Sequence, residues 1–380
     1  MKYAGATLML VLLPVLATTL YAQTLYPALP SKTRIKFERQ LTSATEHIPC
    51  EKAYDGEGLS PRVWTLPTDI KALLEDSCTA LPIVNKEKTM AFLVFYAYEH
   101  PDETNVMLGW AKHLLEKYGH AFEKHSLPPA LAYFPLVSSD MSPDYVSGNG
   151  GVGNWKFKYS TARLYGLMVD KYIDERRLPD KSTWAAAHML ENFYTSFETY
   201  PLAVAAWICG PARVHKALKN TSNNNKFREV FSLLPEPEID SYHAFTALNI
   251  LLHNTGKFDL SPVVVGTENP KDTVFIIDTL HFGQVADLTG IDKQSLEMLN
   301  PHYVKNIVPA SAQTSLPLFL PHGTRKAFLT HLDTIYHYRD SFYFKKAIPK
   351  TKTLTPGSDY VPVQYTIKSG DNIGFLSEWF

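Results

Sequence analysis

Cysteine is scarce in this sequence, with only three among 380 residues. So few cysteines exclude a small fold built on disulfide bridges. Cys50 and Cys78 are able to pair in an oxidising compartment. Cys209 ends the apolar stretch Ala205–Cys209, which predicts a buried thiol that packs as a small apolar group. A catalytic cysteine is therefore not expected.

An excess of charge of either sign is also lacking, because 37 Lys and Arg residues face 38 Asp and Glu residues. Because neither positive nor negative charge is in clear excess, nucleic acid and anionic membrane surfaces are not expected as partners. The 14 histidines are scattered and lack the His-Glu-x-x-His or Cys-x-x-Cys spacing of metal sites. The sequence therefore predicts recognition by a shaped site, with no metal and no cofactor.

A long uninterrupted apolar run is missing as well. Residues 6–16 are apolar and follow Lys2, but Pro14 and two threonines break the stretch before it reaches the roughly 20 residues of a membrane span. A basic start, a short apolar run and a small residue at a cleavage point are typical of a secretion signal. We therefore predict a signal peptide at 1–22 and a protein of the periplasm or cell envelope, with a membrane anchor as the alternative.

The spacing of apolar residues divides the remaining chain and predicts a mainly α fold. Apolar residues recur at helical spacing from Lys86 onward, whereas 273–277 and 316–320 are short runs typical of strands. The predicted helices include 128–139, 160–170, 182–197, 200–219, 241–254, 281–289 and 292–299. The predicted segments are a leader at 23–84, an all-α domain at 85–255, a small βααβ domain at 272–322, a linker at 323–362 and part of a further module at 363–380.

Several segments of the helical region, taken in order, resemble one protein family. These segments are Leu127–Asp140, Gly150–Phe157, Ser160–Leu167, Asp174–Thr183 and Pro201–Val214. They are similar to the lysozyme-like domain of lytic transglycosylases of the membrane-bound D type, and several matches in order are more specific than one motif. The resemblance implies cleavage of the bond between N-acetylmuramic acid and N-acetylglucosamine in peptidoglycan, with a 1,6-anhydro product.

The residue that this reaction needs most is absent. One carboxyl group must protonate the leaving oxygen and then accept the proton of the muramyl 6-hydroxyl. In the family a glutamate follows a segment like Leu-Pro-Leu-Val; here that segment is Phe134–Val137 and the next residue is Ser138. An aliphatic hydroxyl is not a general acid near neutral pH, so the resemblance predicts an inactive domain. Asp140 is expected at a solvated helix end, pointing away from the site.

Two more positions that the resemblance places in the cleft also differ. The family's Gly-Leu-Trp-Gln-Phe reads Gly153–Phe157 here, with Lys156 for glutamine, and its Ala-Tyr-Asn reads Ala206–Ile208. Three such departures beside intact scaffold motifs suggest relaxed selection on catalysis. The residues predicted to contact sugar are Tyr133, Ser138, Ser139, Trp155, Phe157 and Trp207. For Trp155 and Phe157 a place in the core is an equal alternative.

A second resemblance covers the small domain. Leu280–Ile291, Leu296–Tyr303 with its Asn300-Pro301 pair, and Leu316–Pro321 are similar to a LysM domain. Such modules bind glycans that contain N-acetylglucosamine, so the resemblance implies a groove lined by 278–284 and 304–310. The segment 363–380 resembles the opening of another LysM, of which about a third is present.

These observations favour a secreted peptidoglycan-binding protein with a degenerate transglycosylase domain. Its expected partners are peptidoglycan glycan strands, with a role in scaffolding or regulating other cell-wall hydrolases. The first alternative is an active lytic transglycosylase whose acid is Glu175 or Glu191. The second is a structural envelope subunit that does not bind glycan.

Overall fold

The structure is a computed structural model that describes residues 29–46, 74, 79–139, 141–221, 226–265 and 271–344. The described residues form two compact units: those within 1–141 and 186–266 make up the first, and those within 142–185 and 267–380 the second. Residues 142–185, predicted to belong to the all-α domain, therefore group with the small domain. The predicted signal peptide, Cys50, Cys78, Asp140 and the segment 363–380 lie outside the described residues.

The chain is mainly helical up to residue 258. Its α-helices are α1 (Ser31–Glu46), α2 (Lys86–Val94), α3 (Pro101–Glu123), α4 (Tyr159–Leu164), α5 (Pro179–Phe197), α6 (Tyr200–Cys209), α7 (Pro211–Lys219), α8 (Lys226–Ser232) and α9 (Glu236–His253). A π-turn at Phe95–Glu99 follows α2, and 3₁₀ helices cover Pro129–Val137, Glu175–Arg177 and Thr255–Phe258. The predicted mainly α fold is confirmed.

Glycine and proline explain where these helices depart from the prediction. The predicted helix 200–219 is broken at Gly210, whose φ of 89° is unfavourable for other residues, and Pro211 begins α7. The predicted helix 160–170 ends at Leu164, shortly before Gly166 at φ 80°. The predicted helix 128–139 is a 3₁₀ helix, in which Pro135 has no N–H to donate.

The core of the first unit lies between α3, α9 and the elements packed on them. Helix α3 packs against the 3₁₀ helix Pro129–Val137 and against α1, while α9 packs on α2 and α6. Large apolar side chains fill the space between these elements, among them Phe92, Phe122, Phe134, Phe245 and Leu248. Cys209 is also buried, and this burial raises the pKa of its thiol to about 12.

The second unit contains the predicted βααβ domain. Its elements are β1 (Lys271–Ile276), β2 (Leu280–His281), α10 (Phe282–Thr289), α11 (Lys293–Leu299), β3 (Ile307–Val308) and β4 (Leu316–Pro321). Strands β1 and β4 pair antiparallel, with Val274 opposite Leu318, and β2 pairs with β3. Alternation sets the inner face, because Val274 and Ile276 are buried while Phe275 is 67% exposed.

The predicted linker has ordered structure in its first part. Three short helices, α12 (Arg325–Thr330), α13 (Leu332–Ile335) and α14 (Asp340–Tyr343), follow β4 and form a helical arm over Arg325–Phe344. Phe328 and Ile335 of this arm are buried in the core of the small domain. Burial of these two apolar residues favours packing of the arm on the small domain. No helix in the described ranges is long and apolar enough to span a membrane.

Candidate functional site

The segment that carries Ser138 is held inside the first unit. Tyr133 is fully buried, and its phenolic oxygen accepts a hydrogen bond from Nδ2 of Asn249 on α9. Burial raises the pKa of Tyr133 well above its ordinary value, so this side chain is neutral. The ring of Phe134 meets Trp207 edge to face, with centroids 4.9 Å apart. The 3₁₀ helix is therefore fixed against α6 and α9.

Ser138 closes this 3₁₀ helix. Its N–H donates to the Pro135 carbonyl oxygen at 3.2 Å, and the N–H of Ser139 donates to the same oxygen at 3.0 Å. The Ser138 side chain is 3% exposed, and its hydroxyl has no hydrogen-bond partner among the described residues. Ser139 is fully buried, and its hydroxyl donates to Pro135 at 3.3 Å. The two serines thus occupy a desolvated position where a carboxyl group would have a raised pKa.

The glycine-rich segment lies in the second unit. Trp155 is 1% exposed, and its indole N–H donates to Thr183 Oγ1 at 2.9 Å, while Phe157 is also buried. Both rings pack in the core, which was the alternative that the sequence left open. Tyr133, Ser138 and Ser139 are likewise buried, whereas Trp207 keeps part of its surface exposed. A role for these six residues in sugar binding stays a prediction.

The backbone of the glycine-rich segment is tightly constrained. Gly153 has a φ of 75°, and a Cβ there would lie 1.9 Å from the Arg176 carbonyl oxygen. Lys156 also has a positive φ, of 50°, and its N–H donates to the Gly153 carbonyl at 3.0 Å. The close approach to Arg176 explains why residue 153 must be glycine.

A buried ion pair between Arg176 and Asp174 contacts the backbone of this segment. Arg176 donates from Nε to Asp174 Oδ1 at 2.7 Å and from Nη2 to Asp174 Oδ2 at 2.8 Å. The third nitrogen, Nη1, donates to the carbonyl oxygen of Phe157 at 3.2 Å. Both charged side chains are buried, and the two-point geometry offsets part of the cost of removing them from water. The sequence motif containing both residues resembled the family, but it did not reveal this contact.

The two glutamates proposed as alternative acids have structural partners. Glu175 accepts a hydrogen bond from the Met168 N–H at 2.8 Å and forms an ion pair with Lys181. Glu191 lies 2.7 Å from Nδ1 of His125. Each carboxylate thus has a partner that fixes its side chain. No group of three or more His, Cys, Asp or Glu side chains suited to a metal ion occurs within the described residues.

In the small domain, the two segments predicted to line the groove, 278–284 and 304–310, are hydrogen-bonded to each other. Leu280 pairs with Val308 and His281 with Ile307, and the Phe282 N–H donates to the Asn306 carbonyl at 2.8 Å. Gln284 is fully buried; its Oε1 accepts from the His281 N–H, completing a capping box at the start of α10.

The helical arm contacts the same region, which sequence reasoning missed. Nε2 of Gln284 donates to the Tyr338 carbonyl and to Asp340 Oδ1, both at 2.9 Å. The Tyr343 ring stacks on His281 with centroids 4.9 Å apart, and its hydroxyl donates to Asp287 at 2.6 Å. The aromatic content of Ser341–Phe344 was the available signal for this contact.

Comparison with known proteins agrees with this architecture. Residues 119–230 match the family described as Transglycosylase SLT domain, and residues 271–337 match Lytic transglycosylase MltD, LysM-like domain. The fold and these matches define the class: a lytic transglycosylase-type helical domain followed by a LysM-like domain.

Two similar proteins with curated names add detail to this class. The chain is 26% identical over 260 residues to membrane-bound lytic murein transglycosylase D of Escherichia coli K12, covering 67% of this chain and 54% of that protein. It is 30% identical over 102 residues to a putative tributyltin chloride resistance protein of Alteromonas sp. strain M-1, covering 27% of this chain and 49% of that protein. The chain thus resembles the D-type lytic transglycosylases and spans about half the length of these curated relatives. The predicted family resemblance is confirmed.

Proposed function

We propose that this chain is a peptidoglycan-binding protein of the cell envelope whose transglycosylase domain is catalytically inactive. The observation that carries the proposal is Ser138, which stands in a buried position at the end of Phe134–Val137, where the resemblance expects the catalytic glutamate. The SLT and LysM-like matches support a function related to peptidoglycan.

The chemistry of serine supports inactivity. A glutamate in such a desolvated position would have a raised pKa and could donate a proton near neutral pH. The Ser138 hydroxyl is far too weakly acidic for this, and loss of a general acid–base group costs about 10²–10⁴ in rate. Lys156 and Ile208, where the resemblance expects glutamine and asparagine, add two further departures.

The alternative acids do not replace the missing glutamate well. Glu175 is held by Met168 and Lys181, and Glu191 by His125, so turning either carboxylate toward a substrate would break these contacts. We therefore assign both glutamates a structural role.

The LysM-like domain is the proposed glycan-binding part. Its expected ligand is a strand containing N-acetylglucosamine, and its expected contact segments are 278–284 and 304–310. A chain that binds such strands without cutting them is suited to scaffold or regulate active cell-wall hydrolases. Export by the predicted signal at 1–22 would bring it to the periplasm, where the strands are.

Digestion of peptidoglycan sacculi tests the inactivity. Purified protein is incubated with sacculi, and the soluble products are analysed by mass spectrometry beside an active lytic transglycosylase. We expect no anhydro-muropeptides from the wild type or from Ser138→Ala. Anhydro-muropeptides from the wild-type protein would overturn the proposal, and Glu175→Gln and Glu191→Gln would then identify the acid.

Sedimentation with sacculi tests the binding. We expect the wild-type protein to pellet with the sacculi, and soluble chitooligosaccharide to compete. Protein that stays wholly in the supernatant would contradict glycan binding and favour a structural envelope subunit.

A further inference from the structure

An edge of the LysM-like domain is paired with a segment that lies about 130 residues earlier in the chain. Ile173 forms an antiparallel bridge with Tyr303. The Asp174 N–H donates to the His302 carbonyl at 2.8 Å, and the Val304 N–H donates to the Tyr172 carbonyl at 3.1 Å. The short stretch Tyr172–Asp174 thus serves as an added strand on His302–Val304.

Apolar packing accompanies this pairing. The Ile173 side chain is buried in one cluster with Val274, Leu296 and Leu318 of the LysM-like domain. Tyr172 packs against the same cluster, and Lys305 lies over its ring at 5.0 Å. Ile173 is therefore a core residue of a domain that begins about 100 residues later in the sequence.

The same short stretch is connected to the glycine-rich segment. The backbone of Asp174 bonds to His302, while its carboxylate binds Arg176, and Arg176 donates to the Phe157 carbonyl. The carbonyl of Arg176 lies so close to Gly153 that no Cβ fits between them. A continuous chain of contacts therefore runs from His302 to Gly150–Phe157.

The glycine-rich segment depends on such external support. It contains positive φ angles at Gly150, Gly153 and Lys156, and the last of these is unfavourable for a residue with a side chain. Within the segment, the Val152 N–H donates to the Phe157 carbonyl at 3.1 Å and the Lys156 N–H to the Gly153 carbonyl at 3.0 Å, while the Gly153 N–H donates outside it, to the Tyr145 carbonyl at 2.9 Å. A strained backbone persists only where surrounding contacts determine it.

We propose that the LysM-like domain positions the glycine-rich segment Gly150–Phe157 through Tyr172–Asp174 and the Asp174–Arg176 ion pair. The LysM-like domain is then a folding partner of the segment 142–185 rather than a separate tethered module. The consequence for glycan binding rests on the proposed function: the domain that binds the strand also fixes a segment resembling the family's cleft motif.

Hydrogen exchange of the full chain, followed by mass spectrometry, tests this link. Ile173→Ala removes the apolar contact with the LysM-like domain and leaves Asp174 and Arg176 in place. The matched control is Leu164→Ala, which removes the same number of carbons in the same unit at a side chain that is 78% exposed. Peptides covering 150–157 and 271–276 are compared between the variants.

We expect Ile173→Ala to accelerate exchange about tenfold or more both in 271–276 and in 150–157, because deletion of a buried aliphatic group weakens the structure that depends on it. Leu164→Ala should leave both peptides at wild-type rates. Faster exchange in 271–276 with unchanged exchange in 150–157 would overturn the proposal. Where Ile173→Ala does not fold, Ile173→Val gives the same comparison at smaller amplitude.

A second variant tests the Arg176 contact separately from the Ile173 contact. Arg176→Gln releases the Phe157 carbonyl but keeps the Asp174 backbone bond to His302, so 150–157 should exchange faster while 271–276 stays nearly unchanged. Unchanged exchange in 150–157 would contradict the role of Arg176. Because exchange is measured without glycan, failure of this link and failure of sacculus binding are distinguishable.

Discussion

Acidification is expected to destabilise the second unit through His302. This histidine is 3% exposed, and its ring lies against Tyr303 with centroids 4.0 Å apart. Burial, followed by the positive charges of Lys181 and Lys271, lowers the pKa of His302 from its ordinary value to about 4. The unfolded chain therefore binds a proton near pH 6.5 that the folded chain does not bind until about pH 4.

The sign of the effect follows from this difference. The stability contributed by neutral His302 is fully present above the unfolded pKa and is lost as the pH falls toward the folded pKa. Between pH 7 and pH 5 the loss is about 2 kcal/mol, from 1.36 kcal/mol per pKa unit, which is about thirtyfold in an unfolding equilibrium.

Hydrogen exchange in β1 and β4 measures this loss. Rates at pH 7 and pH 5 are corrected for chemical exchange and compared for the wild type and His302→Phe, which keeps a ring and removes the titration. The wild type should lose about 2 kcal/mol more than the variant. The matched control is His337→Phe, at an exposed side chain of the helical arm outside β1 and β4, in which the loss measured for the wild type should persist. Equal pH dependence in the wild type and His302→Phe would refute the reasoning.

Three further substitutions test the packing. Gly153→Ala should destabilise the second unit by about 3 kcal/mol or more, because its Cβ meets backbone, whereas Gly150→Ala, with open space, should cost only about 1–2 kcal/mol for its positive φ; chemical denaturation would distinguish them. Thr183→Val leaves the buried Trp155 N–H without its acceptor and should cost about 1–3 kcal/mol, seen as a lower denaturation midpoint; an unchanged midpoint would contradict the bond. Gln284→Leu should accelerate amide exchange in the helical arm, and unchanged rates would show that other contacts hold it.

The glutamate position illustrates how much a motif alone can predict. Flanking residues place Ser138 in the family's pattern, and a hydroxyl is a poor acid in any fold. The sequence did not predict that the segment is a buried 3₁₀ helix or that the hydroxyl has no partner among the described residues. Burial of Trp155 and Phe157 was equally beyond the sequence, because an aromatic residue near glycines suits a cleft and a core alike.

Local patterns predicted many of the helices and the βααβ order of the small domain, and motif resemblance indicated the family, whereas α1, β2 and β3 were not predicted. Helical periodicity and the alternation in β1 act over a few residues and can be read directly, whereas the helix breaks near Gly166 and Gly210 were not predicted. Only the tertiary structure decided that Ile173 belongs to the core of the LysM-like domain and that Arg176 supports Gly153. It also decided that Gln284 anchors the helical arm. These contacts join residues that are distant in the chain or lie on different elements, and no local pattern specifies which buried partner each side chain meets.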